Sequence, residues 1–186
     1  MCKIVYMLNK IVYQNQELVK KDVSILFIEA FPENERPSVS FFFENLKSHH
    51  NKLLAYYKED IFIGFASLTF YQDIAYLFFL AVSPTYRHLG YGGEILEDLK
   101  KEYADKVLLL CYEEVNPIYE NYEERKNREK FYLHHGFKNN GFISDEWSVR
   151  FQTVYIGPHK VSFETYQEIF KIGFGVDAEK YLKKAQ

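Results

Sequence analysis

The sequence predicts a fold of the broad α/β class with an α+β mixed sheet. One central, mostly antiparallel sheet is flanked by helices. Three runs rich in β-branched and aromatic residues are separated by two-residue turns, which predicts an antiparallel meander; they are Leu53–Lys58, Ile61–Tyr71 and Ile74–Val82. The helical segment Glu94–Tyr103 then leads into the apolar run Val107–Cys111. This strand–helix–strand order predicts a parallel crossover within the same sheet.

The remaining periodic segments predict helices before and after these strands. Apolar residues recur at steps of three and four over Asn15–Phe31, which predicts an amphipathic helix. The other predicted elements are a short helix over Ser38–Lys47, a helix over Arg125–His135 ended by Gly136, a closing hairpin of Phe137–Phe142 and Glu146–Ile156, and a last helix capped by Ser162 that runs to Lys171.

Composition and charge exclude several classes of protein. The net charge of −3, without a block of like charges, argues against a nucleic-acid-binding surface. The longest apolar run has nine residues, and a bilayer span needs about 20. Cys2 and Cys111 form neither a disulfide framework nor a metal cluster. We therefore expect a cytoplasmic protein with one domain over residues 1–186, core motifs at 53–156 and a C-terminal helical extension from about 157.

The segment that carries chemistry follows the third strand. Val82 ends that strand, and a loop with three glycines in four positions (Gly90, Gly92 and Gly93) leads straight into a helix. Glycines let backbone N–H groups converge on one point, and a helix N-terminus adds unpaired donors and partial positive charge. The sequence thus predicts a phosphate or pyrophosphate site, with Arg87 as its cation. A glycine-rich turn without a ligand is the alternative.

The same loop resembles the acetyl-CoA-binding motif of the GNAT acetyltransferase superfamily, Arg/Gln-x-x-Gly-x-Gly/Ala. It stands here as Arg87-His88-Leu89-Gly90-Tyr91-Gly92. A second GNAT-like signature, FYxxxGF, stands as FYLHHGF at residues 131–137. The two motifs occur in the family's order, and the resemblance covers residues 53–156. Residues 111–137 also resemble those of a bacterial GNAT subgroup with a charged segment between strand and helix.

The resemblance implies a GNAT-like fold with acetyl-CoA as cosubstrate and no metal. In the family, the cofactor lies where two parallel strands splay apart, which by position are Ile74–Val82 and Val107–Cys111. The pantetheine arm would pair with the backbone of Leu80, Ala81 and Val82. The pyrophosphate would contact the loop, which gives the remaining cofactor-binding residues: Arg87, His88, Leu89, Gly90, Tyr91, Gly92 and Gly93.

The resemblance also implies a mechanism, in which a primary amine attacks the thioester directly in a ternary complex. Tyr132 matches the family position that often protonates the CoA thiolate. The glutamate that many members carry on the strand before the glycine-rich loop is absent from Ile74–Val82. Glu113, at the exit of Val107–Cys111, is therefore the first candidate for the base, directly or through water, and Glu114 is the second.

The missing glutamate motivates an alternative function, a non-catalytic module that binds acetyl-CoA or CoA as a sensor or partner. For an enzyme, we expect the acceptor to be a small-molecule amine or a peptide amine, with no nucleic acid or membrane as partner. Exposed aromatic residues are compatible with a homodimer. The segments that build acceptor pockets in this superfamily, Asn15–Lys47 and Gly141–Ile156, carry no motif that identifies the acceptor.

Overall fold

The computed structural model describes residues 8–175 and 180–185. In this range the strands are β1 Asn9–Val12, β2 Asn51–Lys58, β3 Ile61–Tyr71, β4 Ile74–Val82, β5 Val107–Glu113, β6 Lys138–Glu146, β7 Val149–Ile156 and β8 Leu182–Lys184. The helices are α1 Glu17–Ala30, α2 Val39–Asn45, α3 Tyr91–Glu102, α4 Tyr122–His134 and α5 Phe163–Phe174. None of the described helices is long and apolar enough to cross a membrane.

The strands form one mixed sheet in the order β1-β2-β3-β4-β5-β7-β6-β8. β4 and β5 are parallel, with a register that runs from Ile74 opposite Val107 to Leu77 opposite Leu110. β1 pairs with β2, β5 with β7, β6 with β7 and β6 with β8, all antiparallel. The predicted fold class, with its parallel crossover, is confirmed.

The residues pack into two compact units. Of the described residues, the first holds those up to Leu68 together with Phe79–Leu99, and the second holds Thr69–Phe78 together with those from Lys100 onward. The core of the first is an aromatic cluster in which Phe27 stacks on Phe42, with ring centroids 4.5 Å apart, and meets Phe79 edge-on at 4.9 Å. Domain number and extent stay a prediction.

The core of the second unit contains apolar residues of its strands and of α5. Tyr166 and Phe170 on α5 are fully buried, and they pack with Tyr76 on β4 and Leu109 on β5. α5 begins where the sequence predicts, because the hydroxyl of Ser162 accepts a hydrogen bond from the backbone N–H of Thr165.

Two predicted features at the C-terminal end are corrected by the structure. The hairpin turn lies at Trp147 and Ser148, with φ angles of 48° and 68°, so β6 continues through Glu146. Both turn residues occupy the left-handed region that a two-residue hairpin turn requires. The C-terminal extension is not helical throughout, because Leu182–Lys184 forms β8 against β6.

Candidate functional site

The end of the predicted cofactor strand, β4, lies very close to β3 within the first unit. Gly64 on β3 faces the backbone of β4 so closely that a Cβ there would lie 2.2 Å from the carbonyl oxygen of Ala81. The Ser83 N–H donates to the Ile63 carbonyl at 2.8 Å. β3 therefore fixes the backbone of β4 at Leu80, Ala81 and Val82.

The loop after β4 is held by its own arginine. Arg87 is exposed, and its Nε donates to the carbonyl oxygen of Val82 at 3.0 Å. His88 and Gly90 have positive φ angles of 62° and 92°. Histidine is one of the residues that tolerate this region, and glycine adopts it without a Cβ penalty. These two positions turn the exposed loop back into α3.

α3 begins at Tyr91, earlier than the sequence predicts, so Gly92 and Gly93 form its first turn. Its first intrahelical bond joins the N–H of Glu94 to the carbonyl of Gly90 at 3.1 Å. Within the described residues, the N–H groups of Tyr91, Gly92 and Gly93 have no backbone acceptor. Unpaired donors and the positive end of the helix dipole therefore meet at this point.

α3 is anchored in the first unit by a carboxylate on its buried side. Asp98 accepts hydrogen bonds from Lys10 Nζ at 2.7 Å and from the Tyr56 hydroxyl at 2.9 Å. These contacts hold the helix, and thus its N-terminal donors, against β1 and β2.

A second cation lies near the start of α3, which sequence reasoning missed. Lys58, the last residue of β2, donates from Nζ to the Tyr91 hydroxyl at 3.1 Å. This hydrogen bond raises the pKa of Lys58 above its usual range, so the ammonium group stays charged. No local motif marks Lys58, because 33 residues separate it from Tyr91. The first unit thus combines two cations, Lys58 and the exposed Arg87, with the unpaired N–H groups at the start of α3, a combination that favours an anion.

Tyr132, the predicted proton donor, lies on α4 in the second unit. Its ring stacks on Tyr112 of β5, with centroids 5.8 Å apart and planes 18° from parallel, and meets Phe137 edge-on. Burial raises the pKa of Tyr132 to about 12, although the charge of nearby Arg128 opposes the shift. The phenol is therefore protonated at neutral pH, and within the described residues its hydroxyl has no hydrogen-bond partner.

Glu113, the candidate base, ends β5 and is held by positive charge. Its side chain is only 4% exposed, and its Oε1 lies 3.2 Å from Arg125 Nη2 and accepts from Asn121 Nδ2 at 3.2 Å. Arg128 Nη1 contacts the other oxygen, Oε2. Two guanidinium groups stabilise the ionised carboxylate. The ion pairs connect the end of β5 to the first turns of α4.

Arg125 extends this network. Its Nε donates to Asn121 Oδ1 at 2.7 Å and its Nη1 donates to the Glu114 carbonyl at 3.0 Å. Its guanidinium also lies 3.8 Å from the ring centroid of Tyr119. Glu114, the second candidate base, has its Oε2 3.1 Å from Arg150 Nε. Both candidate carboxylates are therefore engaged in ion pairs.

The predicted site residues divide between the two units. The backbone of Leu80–Val82 and the loop from Arg87 to Gly93 belong to the first unit, whereas Glu113 and Tyr132 belong to the second. In the described part of the chain, no cluster of three or more His, Cys, Asp or Glu side chains is arranged to hold a metal ion.

Comparison with known proteins identifies the family to which this arrangement is similar. Residues 49–139 match the family model described as an acetyltransferase (GNAT) domain. None of the curated proteins is similar enough in sequence to match the chain.

Solved structures with this fold include several acetyltransferases. A protein from Bacteroides thetaiotaomicron assigned to the GNAT family is 20% identical, covers 90% of this chain and 99% of its own, and has a TM-score of 0.73. An aminoglycoside 6'-N-acetyltransferase in complex with coenzyme A is 19% identical, covers 81% of this chain and 99% of its own, and has a TM-score of 0.64. The ribosomal-protein-alanine N-acetyltransferase of Escherichia coli is 17% identical, covers 83% of this chain and 97% of its own, and has a TM-score of 0.62.

Proposed function

Because the chain belongs to the GNAT acetyltransferase family, we propose that it transfers the acetyl group of acetyl-CoA to a primary amine by direct attack in a ternary complex. The observation that carries the proposal is the set of unpaired N–H groups at the start of α3, with Arg87 and Lys58 beside it. This arrangement suits the pyrophosphate of acetyl-CoA, which combines charge with several acceptor oxygens.

In this proposal, the cofactor contacts come from the first unit. The backbone of Leu80, Ala81 and Val82 pairs with the pantetheine arm, and a backbone N–H near Val82 stabilises the oxyanion of the tetrahedral intermediate. The pyrophosphate binds the loop and the first turn of α3, and Lys58 joins the residues predicted from the sequence. That predicted set is Arg87, His88, Leu89, Gly90, Tyr91, Gly92 and Gly93.

Tyr132 is proposed to protonate the CoA thiolate as it leaves. Its pKa of about 12 keeps the proton on the phenol at neutral pH. Because a thiol has a lower pKa, of about 8.5, the phenol does not protonate a free thiolate completely, and we propose that the proton moves towards sulfur in concert with the breaking of the carbon–sulfur bond.

Glu113 fits a structural role better than that of a base. To take up a proton it would have to weaken its contacts with Arg125 and Arg128, which would leave two guanidinium groups close together. We therefore propose that Glu113 anchors α4, and so positions Tyr132, rather than deprotonating the amine.

The acceptor is proposed to be the primary amine of a small molecule or of a peptide. Two of the proteins with similar structures act, as their names state, on an aminoglycoside and on a ribosomal protein. Both acceptors are amines, and they differ in size.

Calorimetric titration of acetyl-CoA tests the cofactor site. We expect the wild-type protein to bind, and we expect Arg87→Ala and Lys58→Ala each to weaken binding by roughly tenfold, which corresponds to the loss of one charge-assisted contact. Lys101→Ala, at the other end of α3, removes an equal charge and should bind like the wild type. Well-folded protein that does not bind acetyl-CoA would contradict the proposal.

Release of CoA thiol with a panel of amines then tests transfer. Tyr132→Phe should lower kcat by about 100-fold or more, since 100-fold is the lower end of what one general acid contributes, and leave the dissociation constant of acetyl-CoA unchanged. Tight binding with no thiol released from any amine would instead support the non-catalytic sensor.

A further inference from the structure

The mechanism proposed above assigns no role to a chain of hydrogen bonds in the core of the second unit. The Cys111 sulfur lies 2.9 Å from the Tyr76 hydroxyl, which in turn lies 2.9 Å from the Tyr166 hydroxyl. Tyr166 donates to Glu146 Oε1 at 2.5 Å, and Ser144 donates to the same oxygen at 2.6 Å. The chain thus connects a half-buried thiol on β5 to a buried carboxylate on β6.

The direction of this chain follows from the number of hydrogens available. An ionised carboxylate only accepts, so Tyr166 gives its single hydroxyl hydrogen to Glu146. Tyr166 must then accept from Tyr76, and Tyr76, having given its own hydrogen, must accept from the thiol of Cys111. When Glu146 is ionised, every donor in the chain therefore points inward.

Burial makes Glu146 able to exchange a proton near neutral pH. Its side chain is 5% exposed, and the two tyrosines between it and Cys111 are at most 1% exposed. Burial raises the pKa of Glu146 to about 7, although the hydrogen bonds from Ser144 and Tyr166 oppose the shift. Small changes in pH or charge therefore change its protonation.

The charged groups around Glu146 come from two strands. Asp145, next to it on β6, raises its pKa further. On β8, Leu182 lies opposite Glu146, whereas Lys183 and Lys184 lie opposite Asp145 and Ser144. On β7, Val149 is its partner, and on α5 it faces the Tyr166 hydroxyl.

The proposed reaction leaves one proton without an acceptor. The reaction of an ammonium ion with acetyl-CoA gives an amide, CoA thiol and one free proton. The nitrogen loses two protons, and only one of them is needed to reprotonate Tyr132 after it has protonated the thiolate. β4 carries no acidic residue, and Glu113 is held by two arginines. The outer end of the chain lies where β4 and β5 stop pairing, because Cys111 directly follows Leu110, which lies opposite Leu77 in the last pair of that register.

We propose that Glu146 is the terminal proton acceptor of the transfer reaction and that Cys111, Tyr76 and Tyr166 relay the proton to it. This inference rests on the proposed function. A proton from the amine binds the sulfur as the S–H hydrogen moves to Tyr76, the Tyr76 hydrogen moves to Tyr166, and the Tyr166 hydrogen moves to Glu146. Only the carboxylate changes charge, and the reverse sequence returns the proton to solvent after the products leave.

The pH profile of kcat/KM tests the relay in the full-length protein. The wild-type value should rise with pH through about 7, because Glu146 must be ionised to accept the proton. Glu146→Gln should lose this inflection and be roughly 100-fold slower or more at the alkaline plateau. Tyr76→Phe keeps the ring but breaks the chain, so it should show the same loss even if the glutamine variant folds poorly.

Tyr155→Phe is the matched control, because Tyr155 packs against the same core and, within the described residues, its hydroxyl has no partner. Its profile should equal that of the wild type. A profile with the same inflection in Glu146→Gln or Tyr76→Phe would overturn the relay and leave the acetyltransferase intact.

A second readout does not require turnover. The alkylation rate of Cys111, followed by peptide-resolved mass spectrometry, should show an inflection near the pKa of Glu146 that Glu146→Gln and Tyr76→Phe both abolish. If this inflection is absent from the wild type, the relay is overturned. If it is present but no amine is acetylated, the coupling of Glu146 to Cys111 is supported and the proposed function fails.

Discussion

At the scale of single residues, we expect Glu146 to make the stability of the protein depend on pH. The unfolded chain has an ordinary glutamate, with a pKa of 4.5, whereas burial raises the folded-state pKa to about 7. Between these two pKa values, Glu146 is protonated in the folded state and ionised in the unfolded state. Its contribution to the free energy of unfolding is therefore fully present below the lower pKa and is lost as the pH rises through the upper one. The loss amounts to about 3 kcal/mol of the free energy of unfolding.

Urea unfolding at pH ~5 and ~8 measures this dependence. Glu146→Gln, which has no charge at either pH, should lose most of the difference and be more stable than the wild type at the higher pH. Asp145→Asn removes the same charge one residue away, and we expect it to keep nearly all of the difference. An equal pH dependence in Glu146→Gln and wild type would show that the carboxylate is not the cause.

Glu113 shows why a residue's role can depend on contacts that sequence alone does not reveal. Its position after an apolar strand indicates a carboxylate at the edge of a site. Arg125 and Arg128, which bind its two oxygens, lie 12 and 15 residues further on, in a stretch whose charges are nearly balanced. Only the fold brings them together, so the sequence predicts the carboxylate but not its two arginine partners.

At the scale of elements, the central strands were predicted most closely. The bounds of β3 and β4 agree with the prediction, because apolar runs end at two-residue turns where Glu59 and Gln72 have positive φ angles of 54° and 53°. β1 and β8 were not predicted, since strands of four and three residues carry too little alternation to read. Both lie at the edges of the sheet, where pairing with a neighbour rather than local sequence defines them.

The close approach of β3 and β4 leaves no room for a side chain at Gly64. In Gly64→Ala, the new methyl carbon would collide with the Ala81 carbonyl, which is backbone and cannot rotate away. We expect a loss of more than about 2 kcal/mol in unfolding free energy, together with weaker acetyl-CoA binding, because Leu80–Val82 must shift. Urea unfolding and calorimetry measure the two effects.

Gly136→Ala separates this steric effect from the conformational cost of replacing glycine. Gly136 ends α4 with a φ of +89°, and nothing lies within 4 Å of a Cβ there. The Gly136→Ala substitution should lower the free energy of unfolding by only about 1 kcal/mol, which is the strain of a non-glycine residue in the left-handed region. It should leave the affinity for acetyl-CoA unchanged. Equal effects of the two substitutions would mean that β3 and β4 can move apart at little cost.

At the scale of the whole molecule, cofactor contacts and proton-handling groups are proposed to belong to different units. A ligand that binds only the folded state stabilises it by RT ln(1 + [L]/Kd), about 2.7 kcal/mol at 100 times the dissociation constant. For a chain of 186 residues, this should raise Tm by roughly 5–10 °C. Differential scanning calorimetry with and without CoA measures the shift.

The same experiment distinguishes a specific cofactor site from general anion binding. CoA and ATP both carry phosphates that could bind the start of α3, but only CoA has the pantetheine arm that would pair with Leu80–Val82. We therefore expect a much smaller shift with ATP at equal concentration, and a reduced shift with CoA in Arg87→Ala. An equal shift in Tm with ATP would mean that the phosphates account for the binding, and the proposed contacts of the pantetheine arm would then be wrong. A larger shift with CoA would place part of the binding energy on the backbone of β4, as an acetyltransferase requires in order to hold the thioester for attack.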